Sequence, residues 1–255
     1  MRAQSVSGIR SVKLSDQVTR AIARRIANGE IGDDVPPPTE LEICQEFGVS
    51  KTTAREVIRS LAERGFVSVH QGRRMEVREA SDWNQLDPMM IELIDDPDTA
   101  RRYLADVHYV RTLIEPEVAA RAATGADDEQ IARARESLEA MAALHHDPDA
   151  YLEADVAFHR ELAAATRSVI LAFVLDSLGE LQRLSRRVTN RLLDRLPEAT
   201  REHRRILDAV VAGKPERARE AMQVHLVTVA HVWVPGDTDA EFDALFTNRG
   251  SMGRS

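Results

Sequence analysis

The stretch that decides the fold of this chain is TELEICQEFGVSKTTAREVIRSLAERGFVSVHQGRRMEV, residues 39–77. It predicts two helices joined by a tight turn at Gly48, a helix-turn-helix pattern. Thr39 is expected to cap the first helix, and Glu42 three residues later completes a capping box. Ser50 is expected to cap the second helix.

Apolar residues at helical spacing predict which faces of these helices are buried. The first helix is expected to bury Leu41, Cys44 and Phe47, and the second Ala54, Val57, Ile58 and Leu61. Upstream, a helix is predicted at 16–28 with Ser15 as its N-cap. Downstream, short strands at 66–70 and 75–78 flank a basic turn and predict a small hairpin, or wing.

The second helix carries a polar and basic face that favours DNA binding. Lys51, Arg55 and Arg59 are spaced four residues apart and therefore share one side. Such side chains can donate to guanine acceptors or to phosphates. A solvated helix face is the alternative for any single basic stripe. The candidate DNA-contacting residues are Lys51, Thr52, Thr53, Arg55, Arg59, Gln71, Gly72 and Arg73.

The remainder of the chain predicts an all-helical bundle, so the fold class is mainly α, with an N-terminal winged helix-turn-helix and a C-terminal antiparallel helical bundle. Helices are predicted at 87–95, 98–123, 127–144, 148–165, 168–191, 197–212 and 215–234. The expected organisation is a tail at 1–11, the winged domain at 12–78, a linker with a first helix at 79–97, the bundle at 98–234 and a flexible tail at 235–255.

Composition and charge agree with a cytoplasmic protein that touches DNA with one end. Cys44 is the single cysteine, and no apolar run reaches membrane-spanning length. The first ten residues lack the apolar core of a signal peptide. The net charge is -8, but residues 1–80 hold 13 Lys+Arg against 11 Asp+Glu, so the acidic excess lies in the later part.

Four residues of the predicted bundle suit a metal ion. Asp155 and His159 lie four apart on one helix face, and His203 and His225 fall within the apolar stripes of two later helices. Three imidazoles and a carboxylate suit a divalent ion, with zinc favoured and nickel, cobalt, iron or manganese also suitable. The alternative for each histidine is a hydrogen-bonded core residue.

Residues 12–78 resemble the winged helix-turn-helix of GntR-type regulators, especially the FadR-like branch. The resemblance rests on GVSKTTAREV at 48–57 and on the hairpin that follows. It implies DNA contacts by Lys51, Thr52, Thr53 and Arg55 and by the wing around Gln71 and Gly72. Two positions depart from the family pattern: Leu41 stands where many relatives have a DNA-reading arginine, and Arg74 where many have a second wing glycine.

Residues 100–231 resemble the effector domain of the same branch, the FCD domain, through DVAFHREL, EHRRILDAVVAGKPERAREAMQVH and VRTLIEPEVAARAA. Many members bind a divalent metal with one aspartate and three histidines, which implies Asp155, His159, His203 and His225 here. Many also bind a small carboxylate beside the metal, whereas members that bind fatty acyl-CoA typically lack this set.

An arginine and a linker motif extend the resemblance to the effector. Arg111 matches an arginine that the family often points into the pocket, and an Arg fork suits a carboxylate; the alternative is that Arg111 pairs with Glu115 four residues on. The stretch DWNQLDPMMIEL at 82–93 resembles the linker of sugar-acid-responsive members. Trp83 could instead simply pack the linker against a domain.

These features predict a homodimeric, non-enzymatic transcription regulator that binds double-stranded operator DNA, with repression relieved by a small carboxylate, for example a sugar acid. One alternative is a metal-dependent hydrolase, because three histidines and an aspartate can activate water. A second is a regulator whose metal is purely structural. A third, a nucleoid protein, is disfavoured by the acidic overall charge.

Overall fold

A computed structural model describes residues 13–70, 72–190, 193–228 and 230. The chain divides into two compact units, Met1–Leu93 and Ile94–Ser255. Among the described residues, helices dominate and a single two-stranded sheet occurs, which confirms the mainly α fold class. The tails predicted at 1–11 and 235–255 lie outside the described residues.

The first unit has the order of a winged helix-turn-helix. Its elements are α1 Leu14–Ala27, α2 Glu40–Phe47, α3 Lys51–Glu63, β1 Val67–Ser68, β2 Glu76–Val77, a short 3-10 helix Ala80–Asp82 and α4 Met89–Leu93. The capping box of Thr39 and Glu42 and the Ser50 cap are confirmed. The wing strands pair antiparallel, with Val67 opposite Val77.

Several local predictions in this unit are wrong. On α3, Ile58 was expected to be buried and is only half-buried. Leu41 is not buried but 59% exposed, because α2 buries Ile43, and two residues of helix turn the side chain by roughly 200°. Cys44 and Phe47 are only half-buried. Ser15 is not the N-cap of α1, since the helix already begins at Leu14 after a Lys13 cap without a side-chain hydrogen bond.

The segment interpreted as a linker packs against the helix-turn-helix. The ring of Trp83 lies 5.0 Å from that of Phe66, and its Nε1 donates to the Arg78 carbonyl. The backbone N–H of Asn84 donates to the backbone carbonyl of Arg64, at the end of α3. Trp83 therefore has a packing role, the alternative that the sequence left open.

The second unit is a helical bundle with one continuous apolar core. Its helices are α5 Pro97–Gly125, α6 Asp128–Ala143, α7 Pro148–Ala165, α8 Val169–Ser177, α9 Gly179–Asn190, α10 Leu196–Val211 and α11 Pro215–Thr228. Tyr151 and Phe158 of α7 are fully buried in this core. None of the helices in the described ranges combines the length and apolar character needed to cross a membrane.

The single helix predicted at 168–191 is two helices, which corrects the sequence interpretation. α8 ends at Ser177 and α9 begins at Gly179, a residue of low helix propensity. The break has a consequence for the site: α9 turns Gln182 and Arg186 into the bundle, where both are buried.

Gly65 is expected to be the least replaceable glycine of the first unit. Its φ is +80°, and an added Cβ would lie 2.5 Å from the carbonyl oxygen of Asp82. Gly29, with a φ of +73° and open space around it, is the matched control. Gly29→Ala should cost about 1–2 kcal/mol through its left-handed backbone alone, and Gly65→Ala should cost more. Urea unfolding followed by Trp83 fluorescence in a Trp233→Phe background measures the difference. Equal losses would contradict the close-packing argument.

Candidate functional site

The predicted DNA-contacting residues of α3 lie on an exposed face. Lys51, Thr52, Arg55 and Arg59 are exposed, whereas Thr53 is half-buried and its hydroxyl lies 3.0 Å from that of Ser50. In the wing, Gly72 and Arg73 are exposed, and Gly72 adopts a φ of +75°. Gln71 lies outside the described residues.

Several arginines of this unit form ion pairs with acidic side chains. Arg55 Nε donates to Glu40 at 2.9 Å, and Arg59 Nε donates to Glu63 at 2.8 Å. In the wing, Arg74 contacts Glu42 at 3.2 Å. These pairs are exposed and therefore weak, so a phosphate or a base edge can compete for the guanidinium groups.

The second unit brings together the three predicted histidines. His159 of α7, His203 of α10 and His225 of α11 are all buried, and each offers a nitrogen within 4.8 Å of those of the other two. Nε2 of His159 lies 3.1 Å from Nε2 of His203. Asp155, one turn before His159, places Oδ1 3.0 Å from His203 Nε2 and 3.3 Å from His159 Nε2.

A hydrogen-bond partner fixes the Nδ1 atom of each histidine. His159 Nδ1 donates to Glu115 at 2.6 Å, His203 Nδ1 to the Ala199 carbonyl at 2.7 Å, and His225 Nδ1 to Glu202 at 2.9 Å. In a neutral ring whose proton is on Nδ1, the lone pair is on Nε2. Histidines that bind metals commonly donate their other ring N–H to a carboxylate or a backbone carbonyl in this way.

The donor set fits a divalent cation. Lone pairs on Nε2 of His159 and His203 face each other at 3.1 Å, with a carboxylate oxygen of Asp155 beside both. Acceptors that converge in a buried space without a donor repel one another unless a cation lies between them. Nitrogen and carboxylate ligands together suit zinc and the other first-row ions expected from the sequence.

A buried network of two arginines and two carboxylates adjoins the histidines. Glu115 is its hub: Arg111 Nε donates to it at 2.7 Å and Arg186 Nη2 at 3.0 Å. Arg186 Nε lies 3.4 Å from Asp155 Oδ2. The pairing of Arg111 with Glu115, which the sequence offered as an alternative to an effector role, is therefore present in the structure.

Burial and these charges set the protonation states. Burial acts to raise the pKa of Asp155, but its close contacts with His159 and His203 and the charge of Arg186 hold it well below its usual range. Burial likewise opposes ionisation of Glu115, whose pKa the charges of Arg111 and Arg186 nevertheless hold well below normal. Burial lowers the pKa of His203 and, more strongly, of His225, which favours the neutral form that binds metal.

A cavity of about 160 Å³ opens beside the histidines. It lies among α5, α7, α8, α9 and α11, and Glu115, His159 and Arg186 form part of its wall. Gln182 also lines it, and its buried Nε2 has no hydrogen-bond partner among the described residues. An unsatisfied buried donor beside the Arg186 guanidinium suits a ligand that is rich in acceptors.

Three residues of the site were not found from the sequence. Arg186 and Gln182 lie on the helix that was joined to α8, and Glu202 was not distinguished from the other acidic residues of α10. One signal was available: Glu202 immediately precedes His203 on a helix whose inward face was already recognised. His108 is buried beside the Leu226 carbonyl, and burial together with the charge of Arg111 lowers its pKa to about 4.

Glu202→Gln is expected to weaken metal binding about 10- to 100-fold, because loss of the carboxylate lowers the basicity and fixed orientation of His225. The measurement is zinc affinity by competition with a chromogenic chelator. Glu198→Gln is the control, since Glu198 lies one turn earlier on α10 and pairs with Arg201 on the surface. Equal zinc affinity for the two variants would show that Glu202 does not support the site.

Family comparisons agree with both units. The model for "Bacterial regulatory proteins, gntR family" matches residues 14–77, and the FCD domain model matches residues 106–228. The galactonate operon transcriptional repressor of Escherichia coli K12 is 28% identical over 66% of this chain and 74% of its own length. The Glc operon transcriptional activator of the same strain is 31% identical over 66% of each chain.

A solved structure shares the fold. Lar, described as controlling expression of the Listeria monocytogenes agr system, superposes with a TM-score of 0.60 at 16% identity, covering 89% of this chain and 100% of Lar. Both domain matches confirm the resemblance drawn from the sequence. The chain belongs to the GntR family of bacterial transcription regulators, in the FadR-like branch with an FCD domain.

Proposed function

We propose that this regulator is a cytoplasmic homodimeric repressor that leaves its operator when a small carboxylate, such as a sugar acid, binds beside a divalent metal ion. The observation that supports the proposal most is the convergence of one ring nitrogen from each of three buried histidines, with the Asp155 carboxylate beside two of them. The four residues that would hold the ion are Asp155, His159, His203 and His225.

The charge balance supports an anionic effector. In the network around the histidines, Arg111 and Arg186 are offset by Glu115 and Asp155. A divalent ion would add two positive charges to this buried region, and an anionic ligand would restore neutrality. When bound, the ion would supply a charge and open coordination positions for oxygen atoms of the effector.

The cavity supplies the other contacts that a small acid needs. Arg186 and the unsatisfied Nε2 of Gln182 line it, and Arg111 is linked to it through Glu115. An effector carboxylate could replace Glu115 as the partner of an arginine fork. One similar protein is named for a galactonate operon, and galactonate is a sugar acid, which supports extending that ligand class to this chain.

On the DNA side, α3 would enter the major groove with its first turn foremost. Lys51, Thr52, Thr53 and Arg55 would reach base edges and phosphates there, and Arg59 would reach the backbone. The wing, with Gly72, Arg73 and Gln71, would lie along the adjacent groove. A coupling of roughly 1–3 kcal/mol between the effector and DNA sites would give a useful change in operator affinity.

Chelation separates the proposal from its two alternatives. The binding of labelled DNA from upstream of this gene and its neighbours should weaken when one sugar acid is added, and EDTA should abolish that response. If DNA binding still responds to the acid in EDTA, and chelation only lowers the thermal stability of the protein, the metal has a structural role. Metal-dependent turnover of sugar lactones or acids would instead support a hydrolase.

Arg55→Ala is expected to weaken operator binding by roughly 1–3 kcal/mol, because an arginine that reads a base edge contributes about that much. Arg121→Ala is the matched control, since Arg121 is an exposed α5 residue that pairs with Glu117. Fluorescence anisotropy on one operator fragment measures both affinities. An unchanged affinity for Arg55→Ala would rule out α3 as the recognition helix.

A further inference from the structure

One helix of the second unit is apolar on its outer side as well as its inner side. In α8, Leu175 is buried and Leu171 packs against the core. The outward residues remain uncovered: Val169, Ile170, Phe173 and Val174 are 82, 73, 67 and 38% exposed. A helix that is apolar all round is ordinarily covered on all sides.

The outward residues form one continuous patch, which we call the α8 patch: Val169, Ile170, Phe173 and Val174. Residues i, i+1, i+4 and i+5 of a helix lie side by side, so the four side chains are contiguous. The first charged residue of α8 is Asp176, which lines the cavity. A contiguous exposed apolar surface of this kind indicates an interaction site, whereas single exposed apolar residues are ordinary.

Other exposed apolar residues of the described bundle do not form such a patch. On α5, Tyr109 and Leu113 share their exposed side with Asp106 and Glu117. On α11, the exposed Val224 and Val227 share their side of the helix with Glu220 and Gln223. In these places an apolar side chain stands among charges, which is ordinary for a protein surface.

We propose that the α8 patch is the surface through which two copies of this chain pair about a twofold axis. The inference rests on the proposed function, in which the regulator acts as a dimer, and it assigns the face that joins the two copies. An isologous interface places a patch against itself. Because the α8 patch carries no charge, such pairing brings no like charges together.

The area of the patch suits this occupant. Burial of a Val, Ile or Phe side chain removes on the order of 100 Å² from water, so the four residues of two copies together remove roughly 800 Å², which makes the patch the apolar centre of an interface. Neighbouring side chains that two paired helices bring into contact would extend this toward the roughly 1,200–2,000 Å² of a stable interface. A second copy also gives two α3 helices, which a two-half-site operator requires.

The test is the mass of the full chain in solution. Ile170→Glu/Phe173→Glu places two charges in the patch, so light scattering coupled to gel filtration should give half the mass of the wild-type dimer. Val211→Glu/Val224→Glu is the matched control, because it adds the same charge at exposed valines of α10 and α11. Zinc binding and far-UV circular dichroism report whether the variants are folded.

Cross-linking gives a second readout that does not depend on the charged variant being folded. Ile170→Cys in a Cys44→Ser background should form covalent dimers with a short bis-maleimide, whereas Val224→Cys in that background should not. A dimeric Ile170→Glu/Phe173→Glu variant, or no cross-link through position 170, would overturn the assignment. So would a monomeric wild type that becomes dimeric when residues 231–255 are removed, since the patch would then be covered by the chain itself.

The proposed function and this inference fail in different ways. A dimeric wild type that binds no operator and no metal contradicts the proposed function and leaves the α8 patch as the dimer surface. Conversely, a wild type that binds zinc and DNA while the charged variant stays dimeric contradicts only the α8 assignment.

Discussion

The second unit depends on one electrostatic constraint: buried hydrogen-bond acceptors that face one another need a cation. Nε2 atoms of His159 and His203 and a carboxylate oxygen of Asp155 converge in the buried interior of the bundle. On the opposite side of each imidazole, Nδ1 already donates a hydrogen bond to a fixed acceptor. The rings therefore cannot relieve the repulsion by exchanging tautomers without breaking those bonds.

Glu115 extends this constraint into the neighbouring charges. It accepts from His159, Arg111 and Arg186 at once, so a fully buried carboxylate is stabilised by three donors. Removing any one donor would leave a buried charge less compensated, which is costly in a low-dielectric interior. Glu115 contacts His159 and also lines the cavity. A change in its hydrogen-bond partners would therefore alter both the histidine cluster and the cavity wall.

The first unit follows different physics, because its functional groups are exposed. Arg55 and Arg59 are held only by surface ion pairs, which contribute little and exchange readily. Their positions are fixed by the backbone instead, through the caps of α2 and α3 and the tight packing at Gly65. Trp83 ties the following segment to the same body through Phe66 and the Arg78 carbonyl.

The sequence by itself determined the helix-turn-helix, the mainly α fold and the three histidines, because caps, glycine turns and helical periodicity are local properties. It did not determine the break between α8 and α9, since the roughly 1 kcal/mol that a glycine such as Gly179 costs a helix can be offset by packing, which decides whether the helix continues. The prediction that Leu41 is buried was wrong for a related reason. Leu41 and Ile43 lie on opposite sides of the short helix α2, and tertiary packing decides which of the two is buried. Tertiary structure alone assembled Arg186, Gln182 and Glu202 around the histidines, because a buried charge finds its partners across helices that are far apart in the chain.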